Sequence, residues 1–129
     1  MPRETELLEA VDVYFRALYA CDTALLDSVF HPSSTPYDVD EDVVTVDPYP
    51  EWREVVANRP SPASVGQDRD DEIVSITWLS DKAATVHVRL LVIGKVFVDH
   101  LSFVFGPKGV DGPEGWQIVN KVWHLESTV

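Results

Sequence analysis

The chain has 129 residues, 45% of them hydrophobic, and a formal net charge of −12. The length predicts one domain over residues 1–129, and the negative charge argues against nucleic acid or an anionic membrane as partner. Cys21 is the single cysteine, which excludes an intrachain disulfide and a cysteine-based metal site; no signal-like or membrane-spanning apolar segment is seen, which predicts a cytoplasmic protein.

The first part of the chain is predicted to be helical. Residues 4–20 have apolar side chains at helical spacing, and Tyr14 lies on that apolar stripe. Asp22 is the predicted N-cap of a second, short helix over 23–30, which ends with His31 before Pro32. Residues 33–47 predict a hairpin or ragged strand pair with an acidic turn, and 49–58 predict a third helix containing Trp52.

After a connector over 59–68, the pattern changes to strands. Alternating apolar residues predict strands over 73–79, 82–93, 95–105 and 116–125, with a glycine-rich loop over 106–115. Helices first and strands later are typical of the α+β class. We expect a curved antiparallel sheet wrapped around three N-terminal helices, forming a cone with an internal apolar pocket.

Asp99 is the main functional signal in the sequence. It shares the buried parity of its strand with Phe97 and Leu101. A carboxylate in such a position is unfavourable unless it is paired, hydrogen-bonded or protonated. Asp99 is therefore a candidate site residue, facing the same pocket as Tyr14 from the first helix.

Strand parity and helix faces predict the pocket lining. For the last strand, the parity stays open between Ile118, Asn120 and Val122 on one face and Val119, Lys121 and Trp123 on the other. The candidate substrate-binding residues are Phe15, Leu18, Trp52, Val86, Val88, Leu90, Leu101, Phe103 and Asn120.

Several stretches resemble a known fold family. Residues 13–22, 25–32 and 116–124 resemble the nuclear transport factor 2-like (cystatin-like cone) superfamily. Within it, Phe30-His31-Pro32, residues 59–62 and 70–73, and Val119-Asn120-Lys121 are similar to the "putative lumazine-binding" family. This resemblance implies the cone fold and no assigned reaction.

The site residues also resemble those of ketosteroid isomerases. Tyr14 on the first helix, Asp38 after the second and Asp99 on a late strand match that family's pattern. The resemblance implies that Asp38 is a base and that Tyr14 and a protonated Asp99 donate to an oxyanion. This assignment of roles comes from the mechanism of that family.

Structural alternatives exist for each of these residues. Tyr14 is alternatively a core tyrosine bonded to a main-chain carbonyl, and Asp38 a solvated turn residue. Asp99 alternatively pairs with Lys121 or bonds to Asn120.

The four histidines show no close metal-ligand spacing, so neither a metal nor a cofactor is expected. His87 and His100 are predicted on the outer sheet face, together with an apolar patch of Leu91, Val98 and Val104. The superfamily resemblance implies a homodimer through that face.

The sequence favours a small-molecule pocket protein, acting as a cofactor-independent acid/base enzyme of the isomerase, dehydratase or cyclase type on an apolar carbonyl compound. The alternatives are a non-catalytic binder of a hydrophobic or heteroaromatic ligand, and a dimeric interaction module.

Overall fold

A computed structural model describes residues 3–106 and 115–129. Within them the helices are α1 (Glu4–Ala20), α2 (Thr23–Val29) and α3 (Tyr49–Ala57), with a short 3-10 helix at Ala63–Val65. The strands are β1 (Phe30–Asp38), β2 (Thr45–Val46), β3 (Asp71–Ser80), β4 (Ala83–Val92), β5 (Lys95–Gly106) and β6 (Gly115–Thr128). The interior of the predicted 106–115 loop lies outside the described residues.

The two N-terminal helices follow from their sequence signals. The apolar stripe of α1 is buried, and Asp22 caps α2 by accepting a hydrogen bond from the Leu25 amide at 3.2 Å. The prediction that His31 closes this helix is wrong, because β1 begins already at Phe30. His31 lies in that strand, and its ring nitrogen Nδ1 accepts from the Ser33 amide at 3.1 Å.

The six strands form one curved, unclosed sheet in the order β2-β1-β6-β5-β4-β3. Strands β3 to β6 make the predicted antiparallel meander, and β1 and β2 make the predicted hairpin. The sheet is nevertheless mixed and not purely antiparallel, since β1 joins β6 in parallel. The α+β class and the cone architecture are confirmed.

The core lies between the helices and the concave face of the sheet. The inward residues of β4 and β5 are the predicted ones, and Val86, Val88 and Leu101 are completely buried. A bulge in β3 turns Val74 outward and leaves Ile76 and Trp78 facing the core, so simple alternation fails at that residue.

Candidate functional site

A cavity of about 80 Å³ opens between the helices and the concave face of the sheet. Its wall is mostly apolar but includes three charged side chains. The residues that line it are Leu18, Trp52, Arg59, Leu90, Val92, Phe97, Asp99, Lys121 and Trp123. Ligand sites commonly enclose about 300–1,000 Å³, so this cavity is smaller than a typical ligand site and has room for a molecule of only a few non-hydrogen atoms.

Tyr14 and Asp99 contact each other beside this cavity, and of the two only Asp99 is a lining residue. Tyr14 is fully buried on the core-facing stripe of α1, and Asp99 is 2% exposed on the inward parity of β5. The Tyr14 hydroxyl donates to Asp99 Oδ2 at 2.5 Å. The carboxylate thus has a strong donor, whereas its second oxygen, Oδ1, is buried and has no hydrogen-bond partner among the described residues. Both side chains were expected to face one pocket; Asp99 lines the cavity, whereas Tyr14 contacts Asp99 without lining it.

Lys121 completes the cluster from β6. Its Nζ donates to the Tyr14 hydroxyl at 2.9 Å, lies 3.9 Å from Asp99 Oδ2 and lies 4.2 Å from the centre of the Trp52 ring. The alternative pairing of Asp99 with Lys121 is therefore present, mainly through Tyr14. Asn120 lies elsewhere and donates to the main-chain carbonyl of Thr35 at 3.3 Å.

A bulge in β6 explains why Lys121 faces inward. Asn120 pairs with Ser102 and Ile118 pairs with Phe103, so Val119 is an extra residue in the ladder. The inward parity consequently changes from even numbers before the bulge to odd numbers after it. Each of the two parities left open by the sequence holds for one half of the strand.

The environment shifts the ionisation of two members of the cluster. Burial, reinforced by the negative charge of Asp99, raises the pKa of Tyr14 well above its ordinary value, so the phenol stays protonated. Burial lowers the pKa of Lys121 to about 8; the charge of Asp99 opposes this shift and that of Arg59 adds to it. The site therefore holds a protonated phenol beside an amine that is partly neutral in mildly alkaline solution.

Asp38 is separate from this cluster. It is 7% exposed and accepts a hydrogen bond from a backbone amide two residues on at 3.2 Å, so it is not the solvated turn residue of the alternative interpretation. The β1–β6 ladder pairs Tyr37 with Val122, which places Asp38 next to Trp123. Asp99 lies on the strand at the other side of Trp123, so the backbones of Asp38 and Asp99 are two strand spacings apart, or about 10 Å.

The predicted lining residues divide into two groups. Leu18, Trp52 and Leu90 line the cavity. The other six do not border it. Phe15 lies beside the Tyr14 ring, and Asn120 bonds to β1. The remaining four pack in the core; they are Val86, Val88, Leu101 and Phe103.

Five lining residues were not assigned from the sequence, although Lys121 and Trp123 belong to one of the two parities left open for the last strand. Phe97 could have been found, because it shares parity with Asp99. Lys121 and Trp123 depend on the bulge, and Arg59 comes from a connector without a periodic pattern. Val92 ends the strand whose parity was predicted.

Neither a metal cluster nor a spanning helix appears in the described ranges. Among residues 3–106 and 115–129, no three His, Cys, Asp or Glu side chains are grouped so that they could hold a metal ion. No helix within the same ranges is long and apolar enough to cross a membrane.

Comparison with solved structures shows the class of fold. The chain is similar to an NTF2-like protein of unknown function from Shewanella baltica OS155, with 20% identity, 98% of this chain and 96% of that chain covered, and a TM-score of 0.81. An NTF-2-like protein of unknown function from Silicibacter pomeroyi DSS-3 is 19% identical, with 95% of this chain and 94% of that chain covered and a TM-score of 0.79. A ketosteroid isomerase-like protein from Erwinia carotovora atroseptica is 16% identical, with 97% of each chain covered and a TM-score of 0.66. At these identities the likeness shows the NTF2-like fold alone.

The family follows from the sequence. The model of the family described as "putative lumazine-binding" matches residues 2–124, and the chain belongs to that family. A search of curated proteins found no match. The suspected family is thus confirmed, and the family and fold together describe a protein built around a ligand pocket.

Proposed function

We propose that the protein binds a small carbonyl compound in this cavity and catalyses a proton transfer on it without a cofactor, as an isomerase or lyase does. The observation that carries the proposal is the buried cluster of Tyr14, Asp99 and Lys121, of which Asp99 and Lys121 line a mostly apolar cavity. Because all three side chains are almost completely buried, they act on a bound oxygen at low dielectric.

The hydrogen bonds favour Asp99 as the base. Its Oδ2 accepts from Tyr14, and Oδ1 has no partner in the described part of the chain, which leaves an acceptor for a substrate proton. When Oδ1 takes a proton from the carbon next to the carbonyl, the C–H electron pair forms the enolate. Lys121, which lines the cavity, is the donor that stabilises the enolate oxygen, while the Tyr14 hydroxyl donates to Asp99 and holds it in place. The ketosteroid isomerase resemblance instead makes Asp38 the base and Asp99 a donor.

Hydrogen exchange separates these two assignments. We expect the wild-type protein to catalyse deuterium incorporation from D2O next to the carbonyl of 2-butanone, followed by nuclear magnetic resonance. Asp99→Asn should lower the rate by about 100-fold or more, because it removes the general base. Asp38→Asn is the matched control and should retain the wild-type rate.

Two results would overturn this assignment. Loss of exchange in Asp38→Asn with retention in Asp99→Asn assigns the base to Asp38. Exchange no faster with the wild type than with Asp99→Asn removes the catalytic proposal.

A non-catalytic binder is the second candidate, favoured by unpartnered polar atoms at the cavity. Trp123 Nε1 and Arg59 Nε are buried donors without partners in the described residues, and Asp99 Oδ1 is an acceptor. A heteroaromatic ligand presents matching groups on its edge, as the family description suggests. Calorimetric binding of lumazine by a protein that exchanges no substrate hydrogen would support the binder. A bicyclic ring needs the wall to move, since the cavity is only about 80 Å³.

We also propose a homodimer through the outer sheet face. Val98 and Val104 are half-buried there, and Val122 is 46% exposed. Apolar side chains on the solvent face of a sheet are typical of an interface.

A further inference from the structure

Lys121 is buried near Asp99 but does not form a direct hydrogen bond with it. Its side chain is 6% exposed, and its Nζ lies 3.9 Å from the nearer Asp99 oxygen, with the Tyr14 hydroxyl between them in the hydrogen-bond chain. Direct ammonium–carboxylate bonds are commonly about 2.7–2.9 Å. The amine is thus held at the cavity wall without a close ionic contact to Asp99.

Arg59 supplies the second observation. It lines the same cavity, its Nε is buried without a partner, and it forms no ion pair within the described ranges. Its charge acts on both Tyr14 and Lys121. In a chain with a net charge of −12, an arginine at a cavity without an acidic partner is unusual, and a ligand carboxylate would fit it.

We propose that Lys121 is a nucleophile that forms an imine with the carbonyl group of a short oxo acid, whose carboxylate is bound by Arg59. This inference rests on the proposed function, because it requires a carbonyl compound in the cavity. It adds a covalent step and a substrate class.

The covalent step balances with the residues present. The lone pair of the neutral Lys121 amine attacks the carbonyl carbon and forms the C–N bond, while the C=O pair moves to oxygen. Tyr14 gives that oxygen a proton and regains one from the Lys121 nitrogen. The C–O bond then breaks; the second nitrogen proton, relayed by Asp99, leaves with the oxygen as water. The products are the imine and one water.

The local environment supports this chemistry. The lowered pKa of Lys121, about 8, leaves about half of the amine neutral at pH 8. Lys82 and Lys95 are exposed and serve as internal references. The apolar wall and the cavity of about 80 Å³ suit an acid with a chain of a few carbons.

Reductive trapping tests the proposal. The folded protein is incubated with sodium 2-oxobutyrate and cyanoborohydride at pH 8, and the modified lysine is located by peptide mass spectrometry. We expect Lys121 to be modified at least about ten-fold faster than Lys95, because its amine is activated. Lys121→Arg should abolish that modification, whereas Lys95→Arg should leave it unchanged. Lys121→Met, with folding checked by circular dichroism, provides a second variant.

The matched uncharged probe is 2-butanone. Arg59→Gln should lower the ratio of 2-oxobutyrate trapping to 2-butanone trapping about ten-fold or more, since only the acid has a carboxylate. The ratio is the readout because the charge of Arg59 also lowers the pKa of Lys121 and so affects the trapping of both probes. Equal trapping of both probes by the wild type would overturn the oxo-acid assignment.

The outcomes distinguish this inference from the proposed function. Hydrogen exchange without a Lys121 adduct overturns the imine and leaves the acid/base proposal intact. An adduct without hydrogen exchange supports the imine and overturns the catalytic proposal. Modification of Lys82 and Lys95 at the rate of Lys121 also overturns the imine.

Discussion

The charged form of Lys121 is unfavourable in the folded protein. Its folded pKa of about 8 is below the ordinary 10.5, so folding releases a proton between these values. A lowered folded pKa means that stability is fully present above pH 10.5 and is lost as pH falls towards 8. Below pH 8 the loss is complete and constant.

We predict that this single group makes the protein more stable at pH 10 than at pH 8 by about 2 kcal/mol, from about 1.4 kcal/mol per pKa unit. Urea unfolding of the wild type and of Lys121→Met at both pH values measures the effect as the difference between the proteins. Groups other than Lys121 titrate alike in both and cancel. A difference that does not change with pH would show that the buried amine does not have this pKa.

The residue scale also shows what sequence could predict about the site. Tyr14 and Asp99 are predictable as site residues because each lies in a regular apolar pattern, Tyr14 in one with helical spacing and Asp99 in one that alternates as in a strand. Their partner Lys121 was only an alternative, since the parity of its strand changes at Val119. Arg59 has no period, so only the fold brings it to the cavity.

At the scale of elements, the β6 bulge controls which side chains reach the site. The ladder resumes with Asn120 opposite Ser102 and Lys121 opposite Leu101. Deleting Val119 would therefore give an unbroken ladder in which Lys121 still faces inward. Deleting Val122 would instead turn the following residues, Trp123 included, to the outer face.

We predict that the Val119 deletion folds and retains trapping at Lys121, and that the Val122 deletion loses at least about 2 kcal/mol more stability because it exposes inward apolar residues. Circular dichroism, urea unfolding and peptide mapping provide the readouts. If both deletions were equally destabilising, the bulge would not be the extra residue that sets the parity.

Most elements were predictable because their periods are strong. The amphipathic α1, the Asp22 cap and the meander each follow from local patterns. The parallel pairing of β1 with β6 could not be predicted, because the two strands are far apart in sequence and no local signal specifies their contact. The predicted α2, over 23–30, is one residue too long, because Phe30 pairs with β6 and belongs to β1.

For the whole molecule, charge opposes the proposed dimer. Each copy carries a net charge of −12, so two copies repel one another. Salt screens this repulsion, and at about 0.1 M ionic strength its range is about 10 Å. Apolar burial on the outer sheet face is insensitive to this screening.

We predict that the dimer fraction rises with salt, measured by size-exclusion chromatography with light scattering. Val98→Glu should give a monomer at every salt concentration, because it places a charge in the interface. Val65→Glu is the control, since Val65 is 57% exposed in the 3-10 helix and does not lie on the sheet, and it should behave as the wild type does. A monomer at high salt in the wild type would contradict the proposed interface.

The position of β6 between β1 and β5 has a consequence for biosynthesis. The hairpin of β1 and β2 and the group of β3, β4 and β5 both leave the ribosome before β6 does, each with an unpaired edge. Lys121 and Tyr14, 107 residues apart, can meet only when β6 inserts between those edges. Until β6 is in place, the nascent chain exposes the unpaired edges of β1 and β5, which are prone to aggregation. This stage of synthesis is therefore the natural point for chaperones to act.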